Sequence, residues 1–453
     1  MLVGFSVGNY KSFKNRQSIS FEASKIVRHK NHVSIESNKR LLKSALIFGA
    51  NASGKSNFIE AIDISRLMII GGLDRINLNK CHFRISKEMY NQPAIFEYRM
   101  IIDEVEYSYG IVISYVNKSI ISEWLVRFEK NGKETYIFNR EVDSNNVCKS
   151  ITELKFTNDK QKERMDFFLE GFSENISDSY KRKTILSDIA LRVNDDDGIF
   201  FEIKKVFEWF DKIIVIFPET KYNYSDVATD EIKKIHLSEW MKHFDTGIEK
   251  VIFEKQHMDF EKIFHNDPSI EAIRKKIDIS NAVEKRPVVI KINGQIYEFK
   301  KDENGNIIYD KLVLNHGNEE DLFDYDDESD GTKRLIDLVP VFYEKDSASV
   351  VLIDEIDRSI HTKAVREFLE IFYESNESEN HQLIATTHDT NLLDLDLLRQ
   401  DEIWFVERQE DNSSKVYSLN KYKQRFDKKI DKDYLLGRYG AVPVFLKDNI
   451  LEE

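Results

Sequence analysis

A chain of 453 residues, 41% hydrophobic and 12% aromatic, carries enough apolar surface to bury a large core, which excludes disorder as its class. Its formal charge of −14, from 66 basic and 80 acidic residues, argues against a surface that coats nucleic acid through its overall field. Two cysteines, Cys81 and Cys148, are too few for a disulfide framework and lack metal-ligand spacing, so buried thiols in a reducing compartment are expected.

In chain order, Met1 to Tyr10 carry no basic region, long apolar stretch or small-residue cleavage site, so no signal peptide is expected. Strands are predicted over Leu2–Val7 and Gln17–Glu22, joined by the turn Gly8-Asn9-Tyr10-Lys11-Ser12-Phe13. A buried strand, Ala45–Phe48, leads to a helix from Lys55 to about Ile70 with Phe58, Ile59, Ile62 and Met68 on its apolar side. From Ala94 to about Arg140 the residues alternate, with an Asn131-Gly132 turn, which predicts an antiparallel sheet. Ile151 to Phe172 and Phe200 to Asp211 are helix-like and charged, Phe207 and Phe210 being spaced for packing. Asn293-Gly294 and Asn304-Gly305 punctuate further short strands. From Ser329 the α/β pattern returns: strands Val350–Ile353, Leu383–Ala385 and Ile403–Val406, and a helix, Thr362–Tyr373, with Val365, Phe368, Leu369 and Phe372 on one face. Apolar runs such as Ile213 to Phe217 fall far below the roughly 20 residues of a membrane helix, so a cytoplasmic protein with no membrane partner is expected.

The chemistry begins at Gly49-Ala50-Asn51-Ala52-Ser53-Gly54-Lys55-Ser56, a match to G-x-x-x-x-G-K-[ST] delivered by a buried strand and leaving as a helix. That context makes backbone N–H groups converge on a phosphate at a helix N-terminus. Lys55 would neutralise the β- and γ-phosphates and Ser56 would offer its hydroxyl to Mg2+, while Gly49 and Gly54 let the backbone approach. Far downstream, an apolar strand ends in Asp354-Glu355. Asp354 would hold Mg2+ through water, and Glu355 would orient and deprotonate the attacking water. A third apolar strand ends in Thr386-Thr387-His388-Asp389, placing His388 where it could touch the γ-phosphate. Before the acid pair, Ser329-Asp330-Gly331-Thr332 opens a helix, with Ser329 as its N-cap. This turn ends an acidic run, Glu319 to Asp330, in which eight of twelve residues are acidic and which by itself reads as a solvated loop.

In content and order these motifs resemble the ABC/SMC/RecF group of ATPases. More closely, Asn9-Tyr10-Lys11-Ser12-Phe13, the Gly-x-Asn-x-Ser-Gly-Lys-Ser-Asn cradle ending at Asn57, Ser-Asp-Gly-Thr, Ile-Asp-Glu-Ile-Asp and Thr-Thr-His-Asp resemble the compact AAA ATPases of bacterial abortive-infection systems, the RloA/AbiL type. The resemblance covers roughly residues 1 to 140 and 325 to 450. It implies an α/β fold: an ABC/SMC-like P-loop ATPase head with an antiparallel β subdomain and a mainly helical insertion. The expected division is 1–145 for the N-terminal half of the head with the Walker A cradle, 146–290 for the helical insertion, and 291–453 for the half with signature, Walker B and histidine switch. It also implies ATP and Mg2+ as cofactors, Asn51, Ser53 and Asn57 as cradle contacts, and Lys55, Glu355 and His388 as the catalytic set. Ser329 and Gly331 would reach the nucleotide of a second copy, so the protein itself is the first expected partner, and Asp357-Arg358-Ser359 would couple the two sites. Asp330 and Thr332 replace parts of the better-known Leu-Ser-Gly-Gly-Gln signature.

Three purposes fit such an ATPase. The favoured one is a defence component that senses infection and controls a separately encoded effector. The second is a RecF-like repair clamp, under which nucleic acid becomes a partner; the third is a nucleotide-gated scaffold. The stretch after His388, which contains Tyr434-Leu435-Leu436-Gly437-Arg438-Tyr439-Gly440-Ala441-Val442-Pro443, is too short for an appended Toprim nuclease. The basic stretch Lys421-Tyr422-Lys423-Gln424-Arg425 reads as solvated surface.

Overall fold

A computed structural model describes residues 1–143, 147–156, 158–173, 177–194, 198–218, 230–256, 288–292, 295–301, 307–342, 350–375, 381–422, 425 and 429–443. The expected turns Asn293-Gly294 and Asn304-Gly305 lie outside these residues, as do Lys423 and Gln424. The chain forms two compact units, Met1–Val215 with Asp346–Asp357 and Arg366–Glu453, and Ile216–Lys345 with Arg358–Val365.

At the centre of the first unit is a six-stranded sheet in the order Ile213–Ile216, Val350–Ile353, Gln382–Thr386, Ser44–Phe48, Ile403–Arg408, Ser414–Ser418. The four strands from Val350–Ile353 to Ile403–Arg408 run parallel, and the last strand is antiparallel. The cradle, acid and histidine strands, Ser44–Phe48, Val350–Ile353 and Gln382–Thr386, are buried at every residue, as an apolar run between covered faces requires. The register sets Ile353 beside Ala385, Thr386 beside Ile47, and Phe405 beside Phe48. The residues that follow Phe48, Ile353 and Thr386 therefore emerge at one edge, the carboxyl ends of the strands, where ligands of parallel sheets bind.

The antiparallel sheet expected over 94–140 exists and is larger. Seven strands run in the order Cys148–Ile151, Glu134–Val142, Ser119–Phe128, Val105–Ser114, Ala94–Ile102, Leu2–Gly8, Gln17–Ser20. Helix Lys55–Gly71 buries Phe58, Ile59, Ile62 and Met68, and Phe58 packs edge-on against Phe5 and Phe13. The helical expectations over 151–172 and 200–211 appear as Asp159–Glu170 and Gly198–Asp211, with a short helix, Ile185–Ala190, between them. All three belong to the first unit. A buried polar anchor ties the segment before the short helix to the sheet. Glu123, on the sheet, accepts from the N–H groups of Ile185 and Leu186 and pairs with Arg140 at 3.1 Å, both side chains fully buried. Arg140 in turn donates to the carbonyls of Tyr180 and Lys183. A buried charge pair of this kind is tolerated when its other valences find partners; the segment leading into Ile185–Ala190 supplies most of them and Tyr109 OH donates to Glu123 as well, while Arg140 Nε has no hydrogen-bond partner.

In the second unit, strands Lys250–Gln256, Ile307–Asn315, Gln295–Lys301 and Val288–Ile292 form an antiparallel sheet, with Phe323–Asp324 pairing Ile307–Asn315. Helices Glu231–His243 and Asp330–Leu338 belong to it. Cys81 and Cys148 are buried free thiols, both pushed up chiefly by burial. Among the described residues no helix is long and apolar enough to cross a membrane.

Candidate nucleotide site

The loop between strand Ser44–Phe48 and helix Lys55–Gly71 carries the cradle residues 49–54. Gly54 holds the N-cap position at φ 109°, a conformation that a side chain rarely adopts, and no side chain caps the helix. No acidic residue lies in its first turn. An uncapped N-terminus leaves its first N–H groups and the positive end of the helix dipole for an anion. Ser53 is buried, its hydroxyl without a partner, while Asn51 on the loop and Ser56 in the first turn of the helix are exposed.

Lys55 is only 4% exposed. Its ammonium donates to the carbonyls of Gly49 at 2.8 Å and Ala50 at 3.2 Å, and lies 3.3 Å from Nδ1 of His388. Burial lowers the lysine to about 8, with Asp354, Asp357 and Glu355 acting the other way. His388 is lowered by desolvation and then by the Lys55 charge, so a neutral imidazole whose Nδ1 accepts from the ammonium suits the contact. The carboxylates of Asp354 and Glu355 are thus felt at the same lysine, and the ends of three strands meet around one ammonium.

Thr386, absent from the expected site, organises the acids. Its hydroxyl donates to Asp354 Oδ1 at 2.5 Å and accepts from the Glu355 N–H at 2.8 Å. Glu355 itself sits at φ 49°, a costly conformation for a residue with a Cβ, of the kind that concentrates at functional sites. Asp357 accepts from the His388 N–H at 3.2 Å. A second set of contacts holds the cradle from outside. Ser12 and Ser414 both lie against Gly54, Ser414 N–H donates to Ser12 O, and the Ser414 hydroxyl donates to Ser53 O. The Asn57 amide, expected as a cradle contact, donates to Ser12 Oγ at 2.8 Å. The motif around Tyr10 is the tight turn that brings Ser12 there: Tyr10 and Phe13 exchange backbone hydrogen bonds and are fully buried.

Ser329 and Gly331 lie in the second unit. Ser329 is the N-cap of Asp330–Leu338, its hydroxyl accepting from Thr332 N–H at 3.1 Å. Gly331 packs against the backbone of Ser359, where an added Cβ would come within 2.6 Å of the carbonyl oxygen. The turn thus touches the segment expected to couple two sites.

Residues 44–394 match the family model described as "AAA domain, putative AbiEii toxin, Type IV TA system". The chain belongs to this AAA family. Its match spans the cradle, the acid pair and His388. Among solved structures, the chain is similar to an Smc head bound to the C-winged helix domain of ScpA, with 16% identity, a TM-score of 0.38, and 93% of this chain and 99% of that one covered. The SMC head domain from Thermotoga maritima shows 13% identity, a TM-score of 0.36 and coverage of 92% and 98%. An Smc head domain with an extended coiled coil, bound to the C-terminal domain of ScpA derived from Pyrococcus furiosus, shows 16%, 0.36, and 96% and 99%. No curated protein matches the sequence.

The cradle of this AAA protein fits a polyphosphate: it offers an uncapped helix start, an unpartnered buried hydroxyl and a desolvated lysine. Among the described residues no group of three or more His, Cys, Asp or Glu side chains could hold a metal ion. Ser56 and Asp354, the expected pair, would offer oxygen donors, which suits Mg2+, an ion that takes one or two protein ligands and completes its shell with phosphate and water.

Proposed function

We propose that this protein binds Mg-ATP in the 49–57 cradle and hydrolyses it, with two copies completing each other's sites. The observation that carries the reading is the convergence of Lys55, His388 and the Asp354–Glu355 pair from three strand ends. Lys55 and the N–H groups of the helix start bind the β- and γ-phosphates. Ser56, and Asp354 through water, would hold Mg2+, which would supply charge neutralisation at the phosphates. Glu355, held out of the strand direction and tied by its N–H to Thr386, takes a proton from water aimed at the γ-phosphate. His388 contacts the γ-phosphate.

Ser329 and Gly331 serve the site of a second copy, across which the acidic run 319–330 opposes approach until the nucleotide and Mg2+ are in place. Nucleotide state is then read out as dimer geometry. Membership of a family described as putative AbiEii toxin of a Type IV TA system supports placing that readout in bacterial abortive infection; action on a separate effector protein is part of the proposal.

The test is the Glu355→Gln variant with Mg-ATP, its mass measured by light scattering after gel filtration. A mass doubled by ATP, together with lost turnover, is expected. A monomer that still hydrolyses ATP overturns the scheme.

A further inference from the structure

One stretch noted in the sequence has no part in the site so far: Tyr434 to Pro443. Its turn lies directly behind the cradle. The carbonyl of Ala441 accepts from the Ala50 N–H at 2.9 Å and from the Tyr434 hydroxyl at 2.8 Å. The Ala441 N–H donates to Glu407 Oε1 at 3.1 Å, and Tyr439 O accepts from Tyr417 OH at 2.6 Å. Tyr434 and Tyr439 both stack on Phe405, at 5.4 and 6.0 Å with near-parallel planes. Phe405 and Glu407 belong to the strand that pairs with Ser44–Phe48, the strand that delivers the cradle. The turn is tightly bound. Gly440 has φ 70° and an added Cβ would come within 2.7 Å of Tyr417 OH and closer still to Glu407, while Ala441 is itself at φ 57°. A non-glycine residue in that conformation persists only where its surroundings impose it.

The consequence follows from the planarity of one peptide. Gly49 C=O and Ala50 N–H belong to the same rigid unit and point in opposite directions. The carbonyl side receives the Lys55 ammonium and the N–H side is held by Ala441. Pinning one end fixes the other.

We propose that the Tyr434–Ala441 turn is a clamp on the phosphate loop, and that Ala441, backed by Tyr434 and Glu407, is a positioning residue that sets the Gly49–Ala50 peptide and through it Lys55. The clamp keeps the peptide from rotating when the lysine transfers from carbonyl oxygens to phosphate, so loop preorganisation is built from the far end of the chain. This rests on the reading of the cradle as a nucleotide site.

The test is Mg-ADP binding by calorimetry to the full chain, which needs neither turnover nor a second copy. Tyr434→Phe keeps the ring on Phe405 and loses only the hydroxyl; Glu407→Ala loses the acceptor of Ala441 N–H, and Glu407→Gln restores an acceptor. Loss of one such hydrogen bond is expected to weaken Mg-ADP about fivefold in Tyr434→Phe and Glu407→Ala, with Glu407→Gln within about twofold of the parent. In turnover, KM for ATP should rise more than kcat falls. If the unaltered protein takes up no Mg-ADP, the nucleotide reading fails and the clamp with it. If that protein binds while both weakened variants match it, or Glu407→Gln fails to restore affinity, the clamp alone is overturned.

Discussion

Lys55 shows how a single residue can be held at a cost until its ligand arrives. Burial lowers it from 10.5 to about 8, so in the folded protein its charged form is penalised by about 3 kcal/mol relative to the unfolded chain. The sign follows from a depressed lysine: the penalty is complete below pH 8 and is relieved as pH rises from about 8 toward 10.5. Lys55→Met is therefore expected to raise the melting temperature of the nucleotide-free protein by several degrees at pH 7, a gain that shrinks by pH 9.5. A gain that does not change with pH would show that lysine desolvation is not its source. A bound triphosphate should reverse the balance, giving proton uptake on Mg-ATP binding near pH 8.5, detected as a buffer-dependent binding heat. Thr386 gives a second expectation. Thr386→Val would leave Asp354 without its 2.5 Å donor and the Glu355 N–H without its acceptor, which should cost about 1–3 kcal/mol and lower ATP turnover at least about tenfold. Lys55, Asp354, Glu355 and His388 stood out in the sequence because each closes a local pattern. Thr386 did not, because its role exists only once two strands lie side by side.

At the level of elements, two anchors deserve separate tests. Ser329→Ala removes the cap of Asp330–Leu338 and should cost about 1 kcal/mol in chemical denaturation. Ser329→Asn keeps a capping oxygen and should recover most of that loss; whether either also weakens the ATP-dependent dimer separates the cap from a contact with the second copy. The Glu123–Arg140 pair is the stronger anchor. Glu123→Ala would leave Arg140 buried and uncompensated and also free the N–H groups of Ile185 and Leu186, with an expected loss of about 3–5 kcal/mol in urea unfolding. A loss below about 1 kcal/mol would show that Arg140 finds other partners. Strand and helix positions were largely legible from periodicity: Val365, Phe368, Leu369 and Phe372 are all buried as their spacing required. The tie between the sheet and the segment leading into Ile185–Ala190 was not, because it depends on Glu123 and Arg140 meeting across neighbouring strands and contacting a third segment.

For the molecule as a whole, the net charge of −14 bears on its partners. Turnover unaffected by duplex DNA at physiological salt is the expected outcome; stimulation would favour the repair reading over the defence one. What the sequence alone picked out is the set of candidate groups: a phosphate-loop pattern, an acid pair and a histidine, each at the end of an apolar strand, because those signals are local and carried by residue type and spacing. What only the tertiary structure decided is how that chemistry is held. Ser12, Ser414 and Ala441 surround the cradle from opposite ends of the chain, and Gly331 meets Ser359. Such contacts join residues far apart in sequence through backbone groups, which any residue type supplies, or through single serine hydroxyls, so no pattern along the chain could announce them.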